Sequence, residues 1–286
     1  MERGVTNFKP KLVSRMRRRY GSLVTQALFE QRSDIARDAY EQTEILPQTE
    51  TETQLLMVGY SVNGNFSAGN DAFIILHKKF DSYLLKAMTV RESTRARALL
   101  QTIAGEGKSA AELITYYLTN FELQQIGNKH FMIMPQYVNT IEILPQLTEE
   151  SGIQLYSQMA DALNYLHNLP GHYNHMDVKP SNICTRQGGR LVLIDLGSVI
   201  TLGNKSESTR VYVPHDYQPR SSDNPTSNEY VAQMSNDWWM LAMTIAEKVY
   251  GLVVGTGVGD PPLMLKLRDI LRSEIWADLL AKCVEN

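Results

Sequence analysis

Residues 175–183 read HMDVKPSNI, and residues 191–198 read LVLIDLGS. The first run sets Asp177, Lys179 and Asn182 among proline and other polar residues, and the second ends an apolar stretch on an acid, Asp195. Upstream, residues 149–169 carry Ile153, Tyr156, Met159, Leu163 and Leu166 at three-to-four spacing, which predicts a helix with these residues facing the core. The first run is therefore a loop between regular elements, and loops held by a rigid scaffold are where chemistry concentrates. The second run predicts a buried strand.

A carboxylate at the end of a buried strand is costly unless something pairs with it, and a bound cation is the usual reason. Asp177 and Asp195 supply two hard oxygen donors, Asn182 a neutral one, and Lys179 a compact positive charge. That set suits Mg²⁺ held together with phosphate oxygens. It does not suit zinc: His172 and His175 have no further His or Cys beside them in the loop except Cys184, which reads as a small core hydrophobe.

These residues resemble the catalytic loop and metal-binding Asp of eukaryotic-type protein kinases, whose patterns are H-R-D-x-x-x-x-N and D-F-G. The order of the other motifs extends the resemblance over about residues 55–250. "FMIMPQYV", 131–138, is similar to the last small-lobe strand and hinge, with Met134 as gatekeeper and Gln136 and Tyr137 following. "TRVYVPHDYQP", 209–219, resembles the end of the activation segment, with Thr209, Tyr212 and Asp216. "SNDWWMLAMTI", 235–245, resembles the start of the central large-lobe helix, with Asp237 and Trp239.

The resemblance implies an α+β two-lobe fold: a small β-rich N-lobe with one main helix and a larger, mostly α-helical C-lobe that is reduced at its end. It divides the chain into an extension over 1–50, an N-lobe with hinge over 51–137 and a C-lobe over 138–286. It implies a Ser/Thr protein kinase that uses ATP with Mg²⁺ or Mn²⁺. Asp177 would accept the substrate hydroxyl proton, Lys179 would neutralise the γ-phosphate, and Asn182 and Asp195 would hold the metal. "YLLKAM" is similar to the V-A-I-K strand, so Lys86 is the candidate for the α- and β-phosphates and Leu84 lies against adenine. "GNFSAGND" lands on the glycine-rich loop, with Gly64 and Gly69 at its first and third glycine positions and Phe66 at the second.

Some positions depart from the pattern. Glu106, 20 residues after Lys86, is the preferred acidic partner on spacing, although Gly105 and Gly107 flank it; Glu112 has the better helical context, and Glu92 is too close in sequence. Met176 replaces the Arg of H-R-D, which predicts activity that does not require activation-loop phosphorylation. Asp216 needs a cation, for which Arg268 and Arg272 are the candidates. The alternatives are a pseudokinase that uses the fold for protein binding and a small-molecule phosphotransferase.

Composition agrees with a globular protein: 43% apolar, 21% charged, formal net charge −3 over 286 residues. The balance argues against a nucleic-acid binder. It hides a basic arm, Arg15–Arg19, that offers a surface to an acidic partner. No apolar run is long enough for a membrane span. The two cysteines form no disulfide framework, so a reducing compartment is expected: the cytoplasm, its own or a host's. The implied partner is a protein substrate.

Overall fold

A computed structural model describes residues 55–57, 59–68, 71–78, 81–206, 230–252 and 263–284. The basic arm, Gly69, Thr209, Tyr212 and Asp216 lie outside the described residues, and so does the rest of the extension over 1–50. The chain divides into two compact units, the first ending at Ala87 and the second beginning at Met88.

In the first unit, β1 (Ser61–Ala68), β2 (Asp71–Lys78) and β3 (Asp81–Met88) form an antiparallel meander. The β-rich runs DAFIILHKK and DSYLLKAM give β2 and β3, whereas the run LLMVGYSV, 55–62, which also reads as a strand, opens with a helical turn at 55–57 and β1 begins only at Ser61. The β1–β2 register slips between Val62 and Gly64, so that one extra residue bulges there. Gly64 takes φ +150°, a conformation L-residues rarely adopt, which is why glycine suits this bulge. Leu76 and Leu85 are buried, and Tyr60 packs edge-on against Tyr83.

In the second unit, α1 (Val90–Gly105) opens with a capping box. Thr89 Oγ1 accepts from the Glu92 amide, and Glu92 Oε2 accepts from the Thr89 amide at 2.7 Å. Ser93, Ala96, Leu99 and Ile103 form its buried stripe. The glycines at 105 and 107 end this helix, and the chain then makes a 3-10 helix over Ala110–Tyr116. Strands β4 (Glu122–Ile126) and β5 (Lys129–Pro135) follow as a hairpin turning at Gly127. β6 (Asn139–Thr140) leads on to α2 (Glu149–Asn168), which is capped by Thr148.

The stripe of α2 differs from the one its periodicity predicts. Ile153 is exposed and Tyr156 half-buried; Gly152 and Leu155 take the core side, joined by Met159, Leu163 and Leu166. The cause is a close approach by α3 (Met234–Tyr250): a Cβ on Gly152 would stand 2.6 Å from Val249 Cγ2. The backbone of α2 meets α3 there, and the flanking large residues turn outward.

Helix α3 is buried nearly all round, as its apolar sequence requires. Its Lys248 is buried too, and the ammonium donates to the carbonyls of Glu142 at 3.2 Å and Leu144 at 2.8 Å. The helix ends in an αL cap: Gly251, at φ +68°, donates to Glu247 O, and Leu252 donates to Ala246 O. Two further helices, α4 (Leu263–Ile270) and α5 (Ala277–Lys282), lie near the C-terminal end. Between them, buried Trp276 donates from Nε1 to Tyr250 Oη at 2.7 Å.

Short strands frame the loops that matter. β7 (Tyr173–Asn174) pairs with β10 (Ile200–Thr201), and β6 pairs with β8 (Ile183–Thr185), which pairs with β9 (Leu191–Leu193). β11 (Lys205–Ser206) pairs with β12 (Tyr230–Val231) just ahead of α3. No helix among the described residues is long and apolar enough to cross a membrane.

Candidate active site

The loop between β7 and β8 is built on a short 3-10 helix, Pro180–Asn182. Proline fits its first position because no amide hydrogen is needed there, and the Asn182 amide donates to Lys179 O at 3.0 Å. This turn brings Asn182 back to Asp177. Asn182 Nδ2 donates to the Asp177 carbonyl at 2.8 Å and to its Oδ2 at 2.7 Å. Both hydrogens of that amide group are thus used on Asp177, and Asn182 Oδ1 is the oxygen left for a cation.

Lys179 Nζ lies 2.9 Å from Asp177 Oδ1 and 3.0 Å from Oδ2, but only Oδ2 is approached with hydrogen-bond alignment. Oδ1 is buried without an aligned donor. Burial pushes the Asp177 carboxyl above the ordinary carboxylate range; Lys179 opposes that shift and the Asp195 charge adds to it. A desolvated carboxylate with one oxygen that carries no aligned hydrogen bond is suited to receive a proton.

Asp195 is positioned through backbone. Strand β9 is held on one side by β8 and on the other by residues 117–119: Leu193 N donates to Tyr117 O and Thr119 N to Leu193 O. Ile194 N donates to Asn182 O at 2.9 Å. Asp195 then takes φ +65°, in the left-handed region that Asp tolerates better than most residues. Its Oδ1 lies 3.5 Å from where a Cβ on Gly197 would stand. Ser198 Oγ lies within donating distance of two carbonyls, 2.9 Å from His175 O and 3.3 Å from Asp195 O.

His175 joins the two loops. Its Nε2 is 3.0 Å from Ile194 O, and its Nδ1 accepts from the Asp177 amide at 3.3 Å, which assigns the Nε2–H tautomer. Asp237, in the first turn of α3, holds the same loop from below. Its Oδ2 accepts from the His175 amide at 2.8 Å and lies 2.9 Å from His167 Nε2, and its Oδ1 accepts from the Met176 amide at 2.8 Å. Met176 sits at φ +61°, a conformation costing about 1 kcal/mol or more for a side chain of this kind. The charge-assisted bonds from Asp237 hold it there. Sequence reasoning placed Asp237 in a motif but gave it no role in the loop; its burial within an apolar helix, next to two tryptophans, was the available signal.

The structure thus brings together Asp177, Lys179 and Asn182 by direct contact and Asp195 by backbone bonds and charge. Two carboxylates and a free amide oxygen match a hard cation that completes its shell with phosphate oxygens and water. Among the described residues no group of three or more His, Cys, Asp or Glu side chains is placed to hold a metal by itself.

The remaining candidates lie as follows. Lys86 is buried in β3, in register with Phe73, and Leu84 is half-buried opposite Ile75. Met134 is buried at the end of β5, with Gln136 and Tyr137 half-buried after it. The Tyr137 hydroxyl pairs with Thr119 Oγ1 at 2.9 Å, and burial pushes its pKa up to about 12. Glu106 caps the C-terminal end of α1 and is exposed, and the first turn of that helix adjoins the turn after Asp195. Glu92 Cβ lies 3.6 Å from the position of a Gly197 Cβ, and Met88 Cε 3.5 Å. Glu112 is exposed and accepts from Ser109 N and Oγ in a cap of its own. The glycines that flank Glu106 end the helix rather than carry it onward.

Comparison with known proteins agrees with this geometry. The family model described as "Protein kinase domain" matches residues 67–262, more than half of the chain. The mouse serine/threonine-protein kinase MRCK alpha is 29% identical over 136 residues, covering 44% of this chain and 8% of that protein. Human MRCK beta is 26% identical over a stretch of the same length and coverage. The chain thus spans less than a tenth of the length of these curated relatives. Among solved structures, the Cydia pomonella granulovirus kinase PK-1 superposes with a TM-score of 0.53 at 16% identity, covering 72% of this chain and 74% of that one. That likeness shows the α+β fold of protein kinases. With the matched domain, the ordered motifs and the assembled loop taken together, the chain belongs to the eukaryotic-type protein kinase family.

Proposed function

We propose that this protein is an ATP-dependent Ser/Thr protein kinase, with an N-lobe over 51–137 and a C-lobe over 138–286. The observation that carries the reading is the arrangement at Asp177: one carboxylate oxygen hydrogen-bonded by Asn182 and Lys179, the other buried with no aligned donor and only the Lys179 ammonium beside it. Asp177 Oδ1 is suited to orient a Ser or Thr hydroxyl and take its proton as the oxygen attacks. Lys179, already beside that carboxylate, offsets negative charge as phosphate oxygens approach. Asn182 Oδ1 and Asp195 would hold Mg²⁺ or Mn²⁺, which when bound neutralises charge on the transferring phosphate. Lys86 would hold the α- and β-phosphates, with Gly64 and Gly69 in the covering hairpin and Leu84, Met134, Gln136 and Tyr137 around the base.

Met176 in place of arginine supports turnover without a phosphorylated activation loop. The free, buried thiols of Cys184 and Cys283 support a reducing compartment such as the cytoplasm. The decisive experiment is incubation of the purified chain with labelled ATP and Mg²⁺ or Mn²⁺, alone and with generic basic proteins. Transfer that disappears in Asp177→Asn is the expected result; equal labelling by both proteins sinks the reading.

A second reading is a pseudokinase that binds protein partners. It draws on α1, whose single acid, Glu92, is engaged in the capping box, and on the bulk of Leu84. Thermal shift with Mg·ATP separates the two: metal-dependent stabilisation that Asp195→Ala removes favours the kinase, and no stabilisation favours the pseudokinase.

A further inference from the structure

The residue before Asp177 has a second environment besides Asp237. Met176 is buried and clusters with Ile200 of β10 and Ala232, which follows β12. Above it lies Asn236, 4% exposed in the first turn of α3. Its side-chain amide has two hydrogens. Nδ2 lies 3.0 Å from Val231 O and 3.7 Å from Met176 Sδ, so both have an acceptor.

Main-chain bonds extend the same patch. Gly203 N donates to Ala232 O at 2.9 Å, and Ala232 N donates to Asn204 O at 3.0 Å. Lys205 and Ser206 then register with Val231 and Tyr230. The stretch that starts at Asp195 is therefore laced by backbone to the entry of α3. Asn236 connects that lacing to the catalytic loop through one side chain. An arginine paired with a phosphate at this place would make a link that is present or absent with the modification. An amide on a carbonyl, beside a buried apolar cluster, needs no modification.

We propose that Asn236 is a positioning residue that clips the start of the activation segment to the catalytic loop without a phosphate. Its effect on turnover rests on the kinase reading above. Its effect on the backbone does not, and the two are measured separately.

The test uses the full chain, treated with phosphatase. Amide hydrogen exchange is followed at Gly203 and Ala232, with β8 and β9 as the internal control. Asn236→Ala is expected to speed exchange at Gly203 and Ala232 about tenfold, the loss that a hydrogen bond of ordinary strength implies, while β8 and β9 keep their protection. Met176→Leu, which keeps the apolar volume and removes the sulfur acceptor, is expected to speed the same amides about twofold. This variant decides the matter if the alanine protein does not fold. Unchanged exchange at Gly203 and Ala232 overturns the proposal, as does loosening of β8 and β9 to the same degree.

For turnover, Asn236→Ala is expected to raise KM for a protein substrate or lower kcat by about tenfold, with KM for ATP unchanged. Phosphatase treatment of the wild type is expected to change neither turnover nor protection; a loss of protection on treatment overturns the proposal. Absence of wild-type turnover together with intact exchange behaviour removes the kinase reading and leaves the clip standing.

Discussion

The loop carrying Asp177 and the helix α1 each hold charged residues near the turn after Asp195, but they are built in opposite ways. The loop is tied to other parts of its unit as well as to itself: Asp237 of α3 accepts from the His175 and Met176 amides, His175 Nε2 lies on Ile194 O just after β9, and Asn182 folds back on Asp177. In α1, the acids satisfy the helix itself. Glu92 closes the capping box and Glu106 sits exposed at the far end. Cross-element partners fix a side chain to within hydrogen-bond geometry, whereas a self-capping acid reports only where its own helix begins. Chemistry is therefore legible in the first region and illegible in the second.

The sharpest way to break this contrast is Asp177→Asn. Turnover is expected to fall at least about a thousandfold, worth about 4 kcal/mol in the barrier, with nucleotide binding retained. Initial rates and equilibrium dialysis of ATP check both halves. Next in size is Asp237→Ala, which strands the amides of His175 and Met176 and the His167 ring. Stability is expected to drop by about 3 kcal/mol, read as an earlier urea midpoint, because buried groups lose their partner. A drop under about 1 kcal/mol would mean the loop is not held from below.

The pair Glu92→Gln and Glu106→Gln tests the other region. The first weakens a capping box and is expected to cost about 0.5–1 kcal/mol. The second touches an exposed end and is expected to stay within about 0.5 kcal/mol. The reverse order would mean that the first turn of α1 is not held by its capping box. The smallest effect is chemical. Burial pushes the thiols of Cys184 and Cys283 up to about 12. Near pH 8 the reactive thiolate is scarce, so native protein is expected to resist alkylation and to react in denaturant, by mass spectrometry.

Much of the fold was legible because the governing signals are local. A run such as DSYLLKAM and the Gly127 turn each act over a few residues, and β3 and the β4–β5 hairpin form there. The face of α2 was not, because Gly152 invites a backbone approach that a periodicity of large residues cannot express. At the site, Asp177, Lys179 and Asn182 were legible since a five-residue span forces them together. Asp237 and Asn236 lie about 60 residues away in sequence, and only the packing of α3 reveals what they hold.

The placement of Asp237 has one further consequence. The same buried carboxylate belongs to the most enclosed helix of its unit and to the reactive loop's main chain. Heat that unfolds the helix also removes the anchor under the loop, so the loop cannot keep this geometry once α3 has melted.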